Sequence, residues 1–373
     1  MARLNGVVER LERGQTVPPM YVDCHAHFTS VPQALKQWRN RQIDEIERHG
    51  RHMPAGGPDI SDSELARALS GGPISLQAAR GIDMTLLSPI AGLMAHHYGD
   101  QETSVVWSRL SNDIIHRACG LFPDRLVGVG QLPQSPGESI DASVAELRRC
   151  VNELGFVGCN LNPDPSDGYW RASSITDPYY YPLYAEMVEL GVPAVVHASM
   201  SANPAVQGTC AHYLNADTTV FMQLCQSDLF REFPELRLIL PHGGGAVPYH
   251  WDRYQGVMYD QGRGDLLDII GDNVYFDTCL YGQRGMQLLV DTVPAKNLVF
   301  ASEMIGAVRS TDPATGRRYD DTRTLLEEVA GLSETGRAAI ASGNALRVFP
   351  RLRGILDTDE TFPGTGHSHN VVG

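Results

Sequence analysis

The stretch YVDCHAHF, residues 21–28, joins an apolar run that favours a β-strand to two histidines one residue apart. Side chains alternate between the two faces of a strand, so His25 and His27 point the same way. Both imidazoles can therefore bind one ion from one side. The chain contains 13 histidines, so a single His-x-His tripeptide is weak evidence, and its interpretation depends on the strands that follow it.

Seven further apolar runs, short and rich in Val, Ile and Leu, follow this first one. They lie at residues 84–90, 126–133, 156–162, 192–200, 236–245, 273–280 and 297–306. Near-continuous apolar runs are typical of strands that are buried on both faces of a parallel sheet. Amphipathic patterns between these runs predict connecting helices at 139–155, 177–191 and 227–235.

Eight strands that alternate with helices predict an α/β fold, a (β/α)8 TIM-like barrel. A doubly wound sheet is the alternative, but no G-x-G-x-x-G pattern follows the first strand, and the glycine cluster PHGGGAVP fits no dinucleotide fingerprint. Residues 30–80 are too many for a plain strand-to-helix connection, so we expect an insertion or lid over the barrel mouth. We expect one barrel domain over residues 1–355 and a flexible C-terminal tail over residues 356–373.

The charge balance restricts the partners of this protein. With 30 Lys and Arg against 44 Asp and Glu, the net charge is −14, and no basic run is present. Such a chain is a poor candidate for binding nucleic acid or anionic membranes. The N-terminus has no apolar core of a secretory signal, and no stretch approaches the roughly 18 apolar residues of a membrane span. Seven scattered cysteines without a C-x-x-C pattern indicate free thiols, and we expect a cytoplasmic protein.

Functional side chains of barrel enzymes lie at the C-terminal ends of the strands. His197 ends the fifth predicted strand, His242 the sixth and Glu303 the eighth. A lone histidine after an apolar run is often a satisfied core residue, but packing explains this set less well. Three imidazoles with a carboxylate or water form a typical zinc site with one position open for catalysis. We predict His25, His27 and His197 as ligands, Glu303 as ligand, base or both, and His242 beside the metal.

The motifs DCHAHF, VVHASM, LILPHGGGAVPYHWDRY and VFASEMIG together resemble the amidohydrolase superfamily. The chain is most similar to the branch of decarboxylases and hydratases that includes aminocarboxymuconate semialdehyde decarboxylase. Most of that branch has an Asp at the end of the eighth strand, where this chain has Glu303. With the stretches 160–170, 211–223 and 301–322, this departure resembles the 4-oxalomesaconate hydratases of protocatechuate 4,5-cleavage.

The resemblance implies an enzyme that adds water to the carbon–carbon double bond of an unsaturated oxo di- or tricarboxylic acid. It implies a bound metal, Zn2+ by preference, although histidine–carboxylate sites also accept Mn2+ or Fe2+. Glu303 would take the proton of the attacking water. Tyr213 and His242 are similar to the family's other catalytic positions, where a hydroxyl or imidazole can deliver a proton or stabilise an enolate. Without the resemblance, Tyr213 would be interpreted as a packing residue.

Carboxylate substrates need cationic partners in this acidic protein. Arg253 and Arg309 follow the sixth and eighth predicted strands, and arginine suits bidentate carboxylate recognition, although either could equally form a surface ion pair. In related decarboxylases the arginine equivalent to Arg253 reaches into the neighbouring subunit's site, which implies a homodimer or higher homo-oligomer. His96 and His97, after the second strand, could also line the site, but the sequence assigns them no role.

Two other reactions stay open at this level. The same scaffold could carry a non-oxidative decarboxylase of an aromatic or muconate-type acid, and only the extra methylene of Glu303 separates the two interpretations. A hydrolase of a lactone or amide would direct the same water to an acyl carbon. The sequence decides neither the substrate nor the metal.

Overall fold

A computed structural model describes residues 19–50, 56–90, 95–208 and 210–357. Eight strands form one parallel sheet in which each strand pairs with the next along the chain. The strands are β1 Val22–His27, β2 Met84–Ser88, β3 Leu126–Gln131, β4 Gly158–Leu161, β5 Ala194–Val196, β6 Leu238–Leu240, β7 Val274–Asp277 and β8 Leu298–Val299. Each strand lies within one of the predicted apolar runs, so all eight predictions are confirmed.

The segment after β8 closes the sheet onto β1. The backbone N–H of Cys24 donates to the carbonyl of Phe300, and the N–H of Glu303 donates to the carbonyl of His25, both at 2.9 Å. The predicted (β/α)8 barrel is therefore confirmed. Closure also brings the ends of β1 and β8 side by side, although they are far apart in sequence.

Helices occupy most of the connections between strands. In chain order they are α1 Gln33–His49, α2 Asp62–Ser70, α3 Pro73–Ala79, α4 Gln101–Leu121, α5 Asp141–Asn152, α6 Tyr181–Leu190, α7 Ala211–Gln226, α8 Leu229–Glu232, α9 Trp251–Asp260, α10 Leu266–Ile270, α11 Gln283–Thr292, α12 Thr322–Glu327, α13 Glu334–Ala338, α14 Asn344–Val348 and α15 Pro350–Asp357. Short 3-10 turns cover Pro178–Tyr180, His242–Gly244, Pro248–His250 and Ala295–Asn297, and a π-helical turn covers Ala339–Gly343. No helix within the described ranges is both long and apolar enough to cross a membrane.

The three predicted helices are present as α5, α6 and α8. Gly191 ends α6 in the left-handed conformation that glycine adopts without steric cost. The prediction over residues 227–235 is too long, because α8 has a single turn, Leu229–Glu232. Pro234 disfavours a helical backbone in the residue before it, which is where this helix ends.

The insertion after β1 is helical and consists of α1, α2 and α3. Ser61 begins α2 with a capping box, because its side chain accepts from the backbone of Glu64 while the Glu64 side chain accepts from the backbone of Ser61. Buried residues of α1 and α2, such as Trp38 and Leu65, pack with Trp107 of α4 in one hydrophobic cluster. Residues 51–55 of the insertion and residues 358–373 of the predicted tail lie outside the described residues. The single-domain assignment and the lid function stay predictions.

The inside of the barrel is apolar towards its N-terminal end. Val22, Val127, Val195, Ile239 and Val299 of different strands belong to one buried cluster there. A second cluster fills the layer between the strands and the helices. Polar side chains of the barrel interior therefore gather at the C-terminal ends of the strands.

Candidate active site

Three histidine side chains converge at the C-terminal end of the barrel. His25 and His27 lie in the last part of β1, and His197 directly follows β5. The Nε2 atoms of His25 and His27 are 3.0 Å apart, and those of His27 and His197 are 3.1 Å apart. The structure thus brings together the three residues that the sequence predicts as ligands.

A bulge in β1 aims this pair of histidines into the barrel. Val22 pairs with Met84 and Asp23 with Thr85, but the next pair is Ala26 with Leu87, so β1 contains one extra residue. Such a bulge reverses the alternation of side chains. Val22 and Cys24 face the interior of the barrel. The extra residue turns His25 and His27 to the same side, so that they also face the interior.

The hydrogen-bond partners of the three Nδ1 atoms determine which nitrogen of each ring carries the proton. Nδ1 of His25 is 2.7 Å from Oδ2 of Asp277, Nδ1 of His27 is 3.2 Å from the carbonyl of Pro89, and Nδ1 of His197 is 2.7 Å from the carbonyl of Ala198. Carboxylate and carbonyl oxygens accept, so each Nδ1 carries a proton and each Nε2 presents a lone pair.

Nε2 lone pairs that point at each other from about 3 Å repel each other unless a cation lies between them. Nitrogens bound to one zinc ion at about 2.0–2.1 Å in tetrahedral geometry are about 3.3 Å apart. The distances of 3.0 and 3.1 Å from Nε2 of His27 to the Nε2 atoms of His25 and His197 are close to this value. The donor set therefore fits a divalent metal ion on the chemistry of its own side chains.

Glu303 completes the group. Its carboxylate and the ring nitrogens of His25, His27 and His197 lie within 4.8 Å of one another, and all four residues are buried. The Glu303 backbone has a positive φ of 48°, a conformation that a non-glycine residue adopts at some cost. Gly306 allows this turn, because a Cβ at that position would lie 2.6 Å from Cγ of Glu303.

The Glu303 carboxylate is held from the side of β7. The hydroxyl of Tyr281 donates to its Oε2 at 2.5 Å, and the thiol of Cys279 lies 3.4 Å from the same oxygen. Burial raises the pKa of Glu303, but the nearby His242, His25 and His27 and the Tyr281 hydrogen bond outweigh it and lower that pKa to about 2. Glu303 is therefore ionised at neutral pH.

His242 forms a buried pair with Asp217 of α7. Nδ1 of His242 is 2.9 Å from Oδ2 of Asp217, while its Nε2 is buried without a hydrogen-bond partner in the described part of the chain. Burial lowers the pKa of His242, but the Asp217 carboxylate outweighs it, and with Glu303 and Asp277 raises that pKa to about 9. A cationic imidazole thus lies beside an ionised carboxylate, which suits one proton donor and one proton acceptor.

Tyr213 lies against this histidine. The ring centroids of Tyr213 and His242 are 4.7 Å apart, and those of Tyr213 and His197 are 6.4 Å apart. Burial raises the pKa of Tyr213, as do its contact with Cys210 and the charge of Glu303. The Tyr213 hydroxyl therefore stays protonated over the physiological range.

The two predicted substrate arginines lie at the protein surface. Arg253 is on α9, Arg309 follows β8, and both side chains are exposed. Neither makes an ion pair or side-chain hydrogen bond with the residues that the structure describes. Their part in binding stays a prediction.

Sequence reasoning missed four residues that contact the predicted site residues. Ser88, Asp217, Asp277 and Tyr281 contact His27, His242, His25 and Glu303, respectively. Asp277 ends β7, so the strand-end rule applied to the other residues would have found it. Asp217 lies within a helix, and nothing local in the sequence pairs it with His242.

Several known proteins are similar to this chain. The family model described as amidohydrolase matches residues 22–351. A 2-keto-4-carboxy-3-hexenedioate hydratase from Sphingobium sp. strain NBRC 103272 / SYK-6 is 48% identical over 333 residues, which cover 89% of this chain and 97% of that protein. The crystal structure of a 4-oxalomesaconate hydratase from Rhodopseudomonas palustris superposes with a TM-score of 0.84 at 45% identity, covering 90% of this chain and 98% of that one.

A decarboxylase is also similar, at greater distance. A gamma-resorcylate decarboxylase from Rhodococcus jostii strain RHA1 is 34% identical over 278 residues, covering 67% of this chain and 78% of that protein. The hydratases match more of the chain at higher identity. Two of the three reactions considered from the sequence, hydration and decarboxylation, are therefore represented among similar proteins, and the hydratases are nearer.

Proposed function

This chain belongs to the amidohydrolase family, and we propose that it is a metal-dependent hydratase acting on an unsaturated oxo di- or tricarboxylic acid of the 4-oxalomesaconate type. The observation that carries the proposal is Glu303, an ionised carboxylate within the ligand group that also faces the cationic His242. The 48% identical relative, named as a hydratase of a keto-carboxy-hexenedioate, supports the substrate class.

His25, His27, His197 and Glu303 are the residues that would hold the metal. A divalent ion bound there supplies Lewis-acid chemistry, lowering the pKa of water and polarising carbonyl groups. We propose zinc, because three histidines and one carboxylate are ligands that it commonly accepts. Mn2+ and Fe2+ suit the same donors.

The protein's own side chains account for the proton transfers of a hydration. Glu303 takes a proton from water as the water oxygen bonds to one carbon of the double bond. Because that double bond is conjugated to a carbonyl, the electron pair moves onto the carbonyl oxygen as an enolate. His242 then delivers its proton to the neighbouring carbon, and the net result is one C–O and one C–H bond formed from one water.

Tyr213 is suited to stabilising the enolate. Its hydroxyl stays protonated, and its ring lies against His242. A neutral donor and a cationic donor beside each other favour the negative charge that develops on the carbonyl oxygen.

We further propose that Arg253 and Arg309 bind carboxylates of the substrate. Both are exposed and unpaired in the described part of the chain, so their guanidinium groups are available to a ligand. Arg253 would reach the site of a neighbouring copy, which requires a homodimer or higher homo-oligomer. This arrangement follows the related decarboxylases.

The test is a spectroscopic assay with a conjugated oxo-tricarboxylate. We expect loss of the conjugated absorbance without release of carbon dioxide, and loss of that activity after chelation with return on adding Zn2+. Glu303→Gln should abolish turnover. Glu327→Gln, which changes an exposed carboxylate at the end of α12, should not change it. Stoichiometric carbon dioxide release would instead favour the decarboxylase.

A further inference from the structure

A buried arginine, Arg39, lies in the insertion that follows β1. Arg39 is on α1, on the face that also buries Leu35, Trp38 and Ile46. Only 7% of its surface is exposed. Its guanidinium carbon lies 4.0 Å above the ring of Trp107 on α4. The arginine is therefore held between the insertion and the barrel.

Arg39 has no acidic partner among the described residues. By contrast, the guanidinium of Arg80, with a side chain equally inaccessible, pairs with Asp320 at 2.7 Å. Leaving a charge buried without a counter-ion is costly, and in a protein with 44 acidic residues such an arrangement requires a reason. Burial lowers the pKa of Arg39 to about 10, so the group is still charged at neutral pH.

Two side chains near Arg39 present hydrogen-bond donors that have no acceptor among the described residues. The backbone N–H of Gln134 donates to Nδ1 of His96, so the proton of this neutral imidazole lies on Nε2. That Nε2 and Nε1 of Trp107 are both buried without a hydrogen-bond partner in the described ranges. Burial lowers the pKa of His96 to about 3, and the Arg39 charge adds to the effect, so the two groups are electrostatic neighbours.

This donor cluster, defined as Arg39, His96 and Trp107, consists of residues that follow β1, which carries two candidate metal ligands, and β2, which pairs with β1. Arg39 is twelve residues after His27 in sequence, and His96 follows β2. Oγ of Ser88, the last residue of β2, is 2.8 Å from Nδ1 of His27. Trp107 packs in one buried cluster with Phe28, which follows β1, and Leu87 of β2, so the donor cluster lies next to the ends of these two strands.

We propose that the donor cluster binds a carboxylate of the substrate at the end remote from the metal. One guanidinium and two N–H groups match the four lone-pair positions of a carboxylate, and the bound anion supplies a counter-charge that none of the described residues provides. The inference rests on the proposed function for the substrate class. It assigns the insertion a role in selecting acids with an additional carboxylate.

The test uses calorimetric titration of the zinc-loaded enzyme with two stable probes. Propane-1,2,3-tricarboxylate and glutarate differ by one carboxylate, and neither contains a double bond to hydrate. Wild type should bind the tricarboxylate more tightly. Arg39→Met, which keeps an apolar stem over Trp107, should bind the tricarboxylate about 10- to 100-fold more weakly and glutarate almost as well as wild type.

Two variants and one further measurement separate binding from packing. Arg41→Met changes an exposed arginine on the same helix and should leave both affinities unchanged, while Arg39→Lys should restore part of the tricarboxylate affinity. The ligand-free Arg39→Met protein should melt at the same or a higher temperature, because an unpaired buried charge has been removed. A lower melting temperature with equal loss for both probes would show a purely structural arginine and overturn the inference.

The two proposals fail in different measurements. Unchanged tricarboxylate affinity in Arg39→Met, or equal affinity of wild type for both probes, would overturn this inference even if the enzyme hydrates its substrate. An enzyme that binds the tricarboxylate through Arg39 but removes no conjugated absorbance would contradict the hydratase and support the donor cluster.

Discussion

The hydroxyl of Tyr281 donates a 2.5 Å hydrogen bond to Oε2 of Glu303. Tyr281 follows β7 and Glu303 follows β8, so the contact joins two neighbouring strand ends. Burial raises the pKa of Tyr281, and the nearby Cys279 and Glu303 raise it further. The tyrosine therefore remains a donor and fixes one oxygen of the carboxylate, while the other is free to turn towards the histidines.

Removing this hydroxyl should slow the reaction without removing the metal. In Tyr281→Phe we expect kcat to fall about 10- to 100-fold, the range typical of groups that orient a metal ligand. Tyr249→Phe is the control, because Tyr249 is 75% exposed. Wild-type kcat in Tyr281→Phe, measured on zinc-loaded protein, would show that Glu303 needs no such orientation.

Shortening Glu303 tests the residue that we expect to distinguish a hydratase from the decarboxylases. Glu303→Asp keeps the charge but withdraws the carboxylate by about 1 Å, and a misplacement of that size can cost on the order of 10²-fold in rate. We expect zinc content and fold to be retained while hydration becomes slow. Hydration at the wild-type rate would show that the extra methylene is incidental and would strengthen the decarboxylase alternative.

Metal stoichiometry tests the ligand set directly. Because three lone pairs meet at one point, loss of any one ring should weaken the site, and we expect His197→Ala to purify with far less than stoichiometric metal. His250→Ala, at a partly exposed histidine before α9, should keep its full metal content. Full occupancy in His197→Ala by elemental analysis would refute the assignment.

Asp217 should control the protonation of His242. Its carboxylate is the group that raises the pKa of His242 to about 9 against the effect of burial. In Asp217→Asn that pKa should fall, so the cationic donor, present only below the pKa, is lost at neutral pH. We expect kcat at pH 7 to fall by about 10²-fold, with the alkaline limb of the pH–kcat profile moved to lower pH. An unshifted alkaline limb would mean that another group donates the proton.

Arg253 should act on substrate binding and across subunits. Arg253→Ala is expected to raise KM with little change in kcat, since the residue would contact substrate and transition state alike. Arg284→Ala, another exposed arginine, serves as control. Mixing Arg253→Ala subunits with His25→Ala subunits should restore part of the activity, because one site in the heterodimer would then be intact. Proven subunit exchange without recovery would exclude a shared site.

The sequence alone determined the fold and most of the candidate metal site. Strands buried on both faces need continuous apolar runs, and this local requirement marks all eight strands. The strand-end rule then selects His25, His27, His197, His242 and Glu303, and the structure places these side chains together. Both inferences depend on short stretches of chain, which is why they could be made without coordinates.

Strand limits and side-chain direction were less well predicted. The run over 297–306 contains a strand of only two residues, Leu298–Val299, because the chain then turns through positive φ at Glu303 and Ile305. In β1, simple alternation from Val22 would place His25 outside the barrel. The bulge that corrects its direction arises from pairing with β2, so one strand's sequence does not reveal it.

Only the tertiary structure decided the partners of the site. Asp217 contacts a residue 25 positions away and Asp277 one 252 positions away, and Arg39 lies over the ring of Trp107, 68 positions along the chain. Hydrophobic periodicity records which face of an element is buried, but it does not record which buried polar groups meet. Barrel closure sets those contacts, and they determine which side chains are ionised, which carry protons and which still lack a counter-charge.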